Sequence, residues 1–478
     1  MSLLVLVLVP IVAALATALD SARGRRSLWL VVAAATHLAL VGLAWGGGLR
    51  GSRVLWLAFD PLGGLVLSLV SVAFLAVTVT SATTRRAEAP RGGRAFEGCL
   101  LVFLASATVV CLTDHFGAIW VAMEATTLAT APLIYDPRDR HSIEAVWKYL
   151  LICSVGIALA LLGTFFLAAA QAAGTATPNL LRSTLQTGPA LHPVWFKAAF
   201  VFLFIGYGTK VGLVPMHTWL PDAHGEAPSP ISALLSGALL NLAFLAILRV
   251  LQVGYASGQA KLLAPVLIGF GLASVLVATA LLLRQRNYKR LLAYSSIEQM
   301  GILAVGCGVG HAATLGVVLQ LLGASLCKVV LFLTAGNVLL EYRSKAIRDV
   351  TGLARRLPAT AALLAGGVFA LSGAPPFPLF FSGLAILRGA LEAGLPWVAV
   401  TLVVLQTAAF IGLGSCMISM VQGNPASGST RVRERAWLVA PPALLMLLAL
   451  LLGLGAWLHP GMQRILAAAA ATFGGPPS

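Results

Sequence analysis

Five charged side chains interrupt long apolar stretches of this 478-residue chain, namely Glu124, Lys148, Lys210, Glu298 and Lys328. Holding such a group at the centre of a bilayer costs on the order of 3 kcal/mol, so each needs a partner or a wet cavity, and each is a candidate functional group by default. Glu124 stands about two turns into its apolar run. Lys210 follows Gly206 and Gly208 and precedes Pro215, where close helix approach meets a chain break. A carboxylate and an ammonium that face each other in low dielectric hold each other charged, and separating them loosens a proton. Glu124 and Lys210 are therefore expected to form an acid–base pair that loads and releases a proton, with Lys328, in mid-span, as the next acceptor.

The other candidates carry two readings each. Lys148, near the start of its helix, either joins the same pathway or snorkels to the interface with Glu144, one turn earlier, as partner. Glu298, in Tyr294-Ser-Ser-Ile-Glu298, either titrates or bonds to neighbouring hydroxyls. His217 and His224, flanking Pro221, either bridge protons between bulk water and the interior or pack a loop.

The elements that must position these groups are apolar helices. The chain is 59% hydrophobic and 10% charged, with a mean hydropathy of +0.92, against roughly 45–50% apolar and 25% charged in soluble domains. Runs of 18 or more apolar residues recur from end to end, each able to cross about 30 Å of hydrocarbon. The predicted fold is an all-α integral membrane protein of about fourteen transmembrane helices, at 3–19, 28–45, 57–80, 96–113, 116–135, 144–170, 194–214, 229–251, 262–283, 291–309, 312–340, 357–389, 396–421 and 436–457. The first run lacks a preceding basic region and a clear cleavage motif, which reads as a first span and not a removable signal.

A net charge of +16 would suggest nucleic acid in a soluble chain. Here Lys and Arg cluster in short connections, which sets topology instead. The connections after spans 1, 3, 5, 9, 11 and 13 hold Arg23/Arg25/Arg26, Arg85/Arg86/Arg91/Arg94, Arg138/Arg140, Arg284/Arg286/Lys289/Arg290, Arg343/Lys345/Arg348/Arg355/Arg356 and Arg431/Arg433/Arg435. These are predicted to face the cytoplasm, with both termini outside. The six cysteines are scattered without a CxxC pair, so neither a disulfide framework nor an iron–sulfur site is supported, and no metal or cofactor is expected.

Two spans must break. Four prolines fall between Pro215 and Pro230, and Ser372-Gly-Ala-Pro375-Pro376-Phe-Pro378 interrupts a second long run. Proline removes backbone donors that lipid cannot replace, so protein or water must protect that backbone. Paired interrupted helices five spans apart, hence in opposite orientation, point either to inverted repeats with a pathway near the breaks or to prolines that merely kink packed helices.

The strings Glu124-Ala-Thr-Thr-Leu-Ala-Thr-Ala-Pro132, Trp147-Lys148-Tyr-Leu-Leu-Ile-Cys-Ser154, Lys210-Val-Gly-Leu-Val-Pro-Met-His217-Thr-Trp-Leu-Pro-Asp-Ala-His224 and Leu291-Leu-Ala-Tyr-Ser-Ser-Ile-Glu298 resemble the antiporter-like proton-translocating subunits of complex I, Mrp antiporters and membrane-bound hydrogenases, hydrogenase-4 component F most of all. The resemblance covers nearly the whole chain. It implies two inverted five-helix repeats, each with a discontinuous helix: a three-helix segment at 1–95, repeats at 96–251 and 262–421, and a last helix and tail at 436–478. It also implies that Glu124 and Lys210 are a coupling pair and that Lys328 is the central lysine of the second repeat. The chain departs from that pattern at Asn241, where relatives carry lysine, at Gly383, where they carry Glu or Lys, and at Ala324 and Gln299, where they carry histidine.

The expected function is a membrane subunit of a hydrogenase-4/formate hydrogenlyase-like or complex I-like oxidoreductase complex in a bacterial cytoplasmic membrane. It would move H⁺ or Na⁺ while partner subunits, including a peripheral redox arm, perform the redox chemistry. The alternatives are an assembly subunit with impaired conduction and a stand-alone cation/proton antiporter.

Overall fold

The computed structural model describes residues 2–87, 94–136, 140–174, 177–188, 190–423 and 433–473. Arg91, Arg138 and Arg431, and the side chains of Arg23, Arg85, Arg86 and Arg94, lie outside the described residues. The helices are α1 (Leu4–Leu19), α2 (Arg23–Trp45), α3 (Pro61–Ala87), α4 (Arg94–Leu112), α5 (Phe116–Ile134), α6 (Arg140–Ala172), α7 (Arg182–Thr187), α8 (Pro193–Val211), α9 (Trp219–Glu226) and α10 (Ser229–Leu234). A π-helical turn (Leu235–Leu239) joins α10 to α11 (Leu240–Ala256). Then follow α12 (Ala260–Leu282), α13 (Tyr288–Val309), α14 (Thr314–Tyr342), α15 (Leu353–Arg356), α16 (Pro358–Leu371), α17 (Pro378–Glu392), α18 (Pro396–Val421), α19 (Ala436–Leu458) and α20 (Pro460–Ala471).

Twelve of these elements, α10 to α11 taken as one, are long and apolar enough to cross a membrane among the described residues. The shorter α1 and the interrupted pair α16/α17 make up the fourteen spans read from the sequence. The tail beyond span 14 holds a further helix, α20, which packs on α3, α14 and α19.

Both predicted breaks are present, and they are built alike. Span 7 stops at Val211, resumes as the half-helix α9, and has Gly212 in the left-handed region (φ 81°) and a cis Val214–Pro215 bond. Span 12 stops at Leu371, resumes as α17, and has Gly373 left-handed (φ 77°) and a cis Pro375–Pro376 bond. Each glycine closes its helix with the same pair of hydrogen bonds. Leu213 N donates to Gly208 O and Gly212 N to Thr209 O, while Ala374 N donates to Phe369 O and Gly373 N to Ala370 O. This satisfies helix-end carbonyls that would otherwise be orphaned in oil. In the first break Ser274 Oγ accepts from Val214 N at 2.9 Å, and Trp219 Nε1 donates to Thr209 O at 2.9 Å. Pro221 is not itself the turn: it sits in the first turn of α9, so His217 lies in the break and His224 inside the half-helix.

The element from Ser229 to Ala256 is buried along its length and packs against α3, α4, α8, α9 and α14. Tight crossings elsewhere depend on glycine. A Cβ at Gly206 of α8 would lie 2.6 Å from the Gly156 carbonyl of α6, and one at Gly301 of α13 would lie 2.8 Å from the Gly271 carbonyl of α12. The last long helix, α19, abuts the second break, where any side chain at Gly453 would strike the Pro376 carbonyl.

Connections alternate between the two ends of the bundle. At one end those following odd-numbered spans meet: Asp222 of α9 takes Lys148 at 2.9 Å and Arg290 at 2.8 Å, Lys345 reaches Glu226 at 2.7 Å, and Glu341 pairs with Arg356. Lys289, expected among the exposed basic residues of a connection, is instead buried, with its amine on Ala227 O. It supports the α9–α10 corner.

At the opposite end Arg249 of α11 is buried and grips Asp60 with both terminal nitrogens, at 2.5 and 2.8 Å. Arg182 of α7 takes Asp114 at 2.9 Å and Gln252 at 3.0 Å, and approaches Asp60 at 3.7 Å. Desolvation and the neighbouring Arg249 weaken the hold of the Arg182 guanidinium on its proton, a cost that the two aspartates offset only in part. This network ties α3, α5, α7 and α11 together.

Two tests follow from these contacts. Gly301→Val should cost about 1–3 kcal/mol through overpacking, read as a lower melting temperature in detergent, while Gly42→Ala, which meets nothing within 4 Å, should leave it unchanged. Arg249→Met should cost about 3–5 kcal/mol because it strands a charge, and the double variant Asp60→Asn/Arg249→Met should be less destabilised than the sum of the singles. Additive losses in that cycle would show that the two side chains do not interact.

Candidate functional site

Two of the buried lysines, Lys210 and Lys328, have matching seats. Lys210 stands at the C-terminal turn of α8, where the helix dipole favours a cation, and its buried amine donates to Met123 O, Thr126 Oγ1 (2.8 Å) and Thr127 Oγ1 (2.6 Å) of α5. Lys328 of α14 donates to Leu292 O (3.0 Å) and Ser295 Oγ of α13. In each seat one helix carbonyl also accepts from hydroxyls three and four residues on, Thr126 and Thr127 on Met123 O, Ser295 and Ser296 on Leu292 O. The sequences Met123-Glu-Ala-Thr-Thr and Leu292-Ala-Tyr-Ser-Ser thus supply the same cradle on two helices.

Among the described residues no carboxylate touches either amine. Glu124 is adjacent in sequence to the carbonyl that seats Lys210, yet its Oε1 accepts from Ser154 Oγ at 3.0 Å, and its Oε2 is buried without a hydrogen-bond partner. Glu298 stands toward Lys328 in the same way, buried, with an unpartnered Oε2. The direct Glu124–Lys210 ion pair expected from the sequence is therefore replaced by a pair separated by polar ligands. The physical reason is that a carbonyl and two hydroxyls satisfy all three ammonium protons.

His224 is buried and stacks on Phe332, one turn beyond Lys328, with ring centroids 4.9 Å apart. Neither ring nitrogen has a partner within the protein. Between His224 and the second cradle runs a series of hydroxyls: Ser232 Oγ donates to His224 O at 3.0 Å, and Ser236 Oγ meets Ser296 Oγ at 2.8 Å. Asn241 donates to Gly237 O of the π turn at 2.9 Å, and Ser325 of α14 donates to the same oxygen. A π turn leaves carbonyls without their usual helical donors, and such turns gather at functional sites. His217 lies in the first break, half-buried, its Nδ1 unpartnered. Lys148 stands apart from the buried groups, at the rim, between Glu144 (2.6 Å) and Asp222 (2.9 Å).

The second half contains a cavity of about 160 Å³ lined by Glu298, Gln299, Gln320, Ser372, Gly383 and Gln406, with leucine and phenylalanine side chains between them. Gln320 Nε2 donates to Gln299 Oε1 at 2.6 Å, and Ser382 Oγ donates to Gln320 Oε1 at 2.7 Å. Arg388 lies outside it, exposed and paired with Glu392 at 2.6 Å.

The sequence reading missed the Met123 and Leu292 seats, Gln320, Gln406, Ser154 and the Asp60/Arg249 pair. Two signals were available: paired hydroxyls in the middle of apolar helices, at Thr126/Thr127 and Ser295/Ser296, and an arginine two residues inside a predicted span end.

Residues 113–410 match the family described as NADH:quinone oxidoreductase/Mrp antiporter, transmembrane. The hydrogenase-4 component F homolog of Methylacidiphilum infernorum (isolate V4) is 40% identical over 330 residues, covering 67% of this chain and 68% of that one. The NADH-quinone oxidoreductase subunit N of Desulforudis audaxviator (strain MP104C) is 30% identical over 409 residues, 84% and 80% of the two chains. Among solved structures, a chain of the archaeal membrane-bound sulfane sulfur reductase superposes with a TM-score of 0.86 at 21% identity, over 98% of this chain and 97% of that one. Fourteen spans, paired proline breaks and two seated lysines thus coincide with a match over most of the sequence, and the chain belongs to the NADH:quinone oxidoreductase/Mrp antiporter transmembrane family.

Proposed function

We propose that the chain is a proton-translocating membrane subunit of a hydrogenase-4-like or complex I-like oxidoreductase complex. The observation that carries this reading is that two buried lysines, Lys210 and Lys328, each sit on a carbonyl and at least one hydroxyl beside a glutamate that has one unpartnered oxygen. Such a seat solvates an ammonium without neutralising it. The amine can therefore give up its proton and be recharged without breaking a contact ion pair.

The proposed sequence of groups runs from the first repeat, 96–251, to the second, 262–421. Protonation of Glu124 removes the anion that acts on Lys210, and the Lys210 proton is released toward the central polar groups. His224 and the serine series carry it to Lys328, and Glu298 receives it. Lys148, in its rim cluster with Glu144 and Asp222, and His217, in the break, lie on the supply side. The half-helix α9 carries Asp222, Glu226 and His224 together, so a shift of that one element alters rim and interior at once. In this reading the driving change arrives from other membrane subunits and, through them, a peripheral redox arm, in a bacterial cytoplasmic membrane with both termini outside.

A second reading, an assembly subunit with reduced conduction, draws on one observation: α17 places no titratable side chain on the cavity that Glu298 lines. One measurement separates the two. In vesicles containing the assembled complex, Lys210→Ala and Glu124→Gln should abolish proton translocation coupled to turnover while the complex still assembles. Unchanged proton-to-turnover ratios in both variants would leave only the assembly role.

A further inference from the structure

At the outer end of the bundle, in the topology proposed above, α5 begins with a histidine. His115 has an extended backbone (φ −108°, ψ 122°), and its Nδ1 accepts from Gly117 N at 3.0 Å and from Ala118 N at 3.3 Å. A nitrogen that accepts from two amides holds no proton, so the ring is neutral with its hydrogen on Nε2. Burial pushes the basicity of the ring below the usual histidine range, against the opposing pull of Asp114. The seat is built around the ring: a Cβ at Gly117 would lie 2.9 Å from His115 Cε1, and Trp56 stacks on the imidazole with centroids 4.3 Å apart. His459 caps α20 over Gly461 in the same way, through Met462 N at 3.3 Å.

The corner that holds the ring is strained. Among the described residues four non-glycine residues have positive φ, and three of them, Leu55, Trp56 and Leu180, frame this corner. Thr113 Oγ1 donates to Leu55 O (2.9 Å), Asp114 N to Trp56 O (3.0 Å) and Phe116 N to Leu180 O (3.1 Å). Such conformations persist where the surroundings over-determine them, and they gather at switch regions. The charged side chains on the segments packed around the ring are Asp114, Arg182 and Arg53. Asp114 is held by Arg182 at 2.9 Å and by Ser183 Oγ at 2.5 Å, and Arg53 is exposed. Among the described residues no other side chain accepts from the two amides.

We propose that His115 is a proton-sensing cap: when protons accumulate at the outer end, Nδ1 is protonated, both amides lose their acceptor, and the first turn of α5 opens and slows translocation. A protonated Nδ1 is a donor facing two donors, and its charge stands at a helix N-terminus, where the dipole disfavours a cation. The step forms one N–H bond with a proton taken from water and breaks only hydrogen bonds. The released ring can stay against the indole of Trp56, whose face attracts a cation. Because the folded ring is a weaker base than a free histidine, the cap is intact at neutral pH and is lost only as the outer pH falls below about 6.5. The consequence reaches the interior through α5 itself, whose Met123 carbonyl and Thr126 and Thr127 hydroxyls seat Lys210. Met123 lies eight residues beyond His115, or about 12 Å along the helix axis. This inference rests on the translocation reading above and adds its regulation, since the product of transport closes the path that delivers it.

Amide exchange and pumping read the switch separately. In sealed vesicles holding the assembled complex, only the side that bears Trp56 is taken from about pH 7.5 to about pH 5.5, a window that brackets histidine titration. The exchange protection of Gly117 and Ala118 should then fall by more than about tenfold, as expected when a hydrogen-bonded turn opens locally. His115→Asn keeps a capping oxygen that does not titrate, so its protection should hold across the window, while His115→Ala should be unprotected at both ends of it. Under the same gradient, turnover-coupled translocation should slow more in the native complex than in His115→Asn, by about threefold or more, as an acid-closed gate requires. Equal protection profiles for the native complex and His115→Asn would overturn the sensor, as would opening triggered by acid on the opposite side. Identical translocation profiles would overturn its control of pumping. If Lys210→Ala and Glu124→Gln pump normally, translocation itself is wrong, and exchange still decides whether acid opens the cap.

Discussion

A buried ammonium must be solvated by something, and here the solvent is the helix backbone. Lys210 and Lys328 each sit on a single carbonyl reinforced by hydroxyls three and four residues further along the same helix. The arrangement spreads the charge over dipoles and leaves the neighbouring carboxylates uncommitted. A contact ion pair would be a deep trap, since removing either partner strands the other at a cost of about 3–5 kcal/mol. A dipolar seat is shallower and can be emptied and refilled. The rest of the architecture makes such seats possible, because α5 and α13 must be held within reach of lysines on different helices with no lipid between them.

That requirement explains where rigidity is spent. The glycine crossings at Gly156/Gly206 and Gly271/Gly301 bring α6 to α8 and α12 to α13 nearly backbone to backbone. The ionic networks clamp the two ends: Asp60, Asp114, Arg182 and Arg249 on one, Lys148, Asp222 and Arg290 on the other. Between the clamps, both interrupted helices end in the same left-handed glycine and the same pair of capping bonds. The interior polar groups therefore work in a frame whose backbone is already satisfied, and hydroxyls, histidine and glutamate oxygens remain available for protons.

Much of this was legible in the sequence because membrane helices write a strong signal. Long apolar runs gave the spans, basic clusters gave the alternation of the connections, and prolines gave both breaks to within a few residues. The interior charges were visible for the same reason: Glu124, half-buried, and the buried Lys210, Glu298 and Lys328 stand out in oil. Their partners were not. Nothing in the sequence separates a carboxylate that touches an amine from one that accepts from Ser154 while a carbonyl takes the amine. That choice is made by rotamers and helix rotation, which periodicity does not specify. Lys289 shows the converse failure, since in composition it is one more basic residue of a connection, but the corner at Ala227 folds over it.

The two breaks differ in what covers them. The first rests on α12, whose Ser274 Oγ takes Val214 N, and on Trp219, which folds back onto Thr209 O, while Pro215 and Thr218 are exposed. The second leans on α19, whose Gly453 lies against the Pro376 carbonyl while its other face, with Leu444, Leu448 and Leu451, is exposed. The same helix is thus a wall of the second break and part of the molecule's perimeter. Lipid composition or an adjoining helix pressing on that perimeter acts on the second break through one thin layer. The halves share a blueprint, and in the second half α19 gives the break a mechanical handle on the outside.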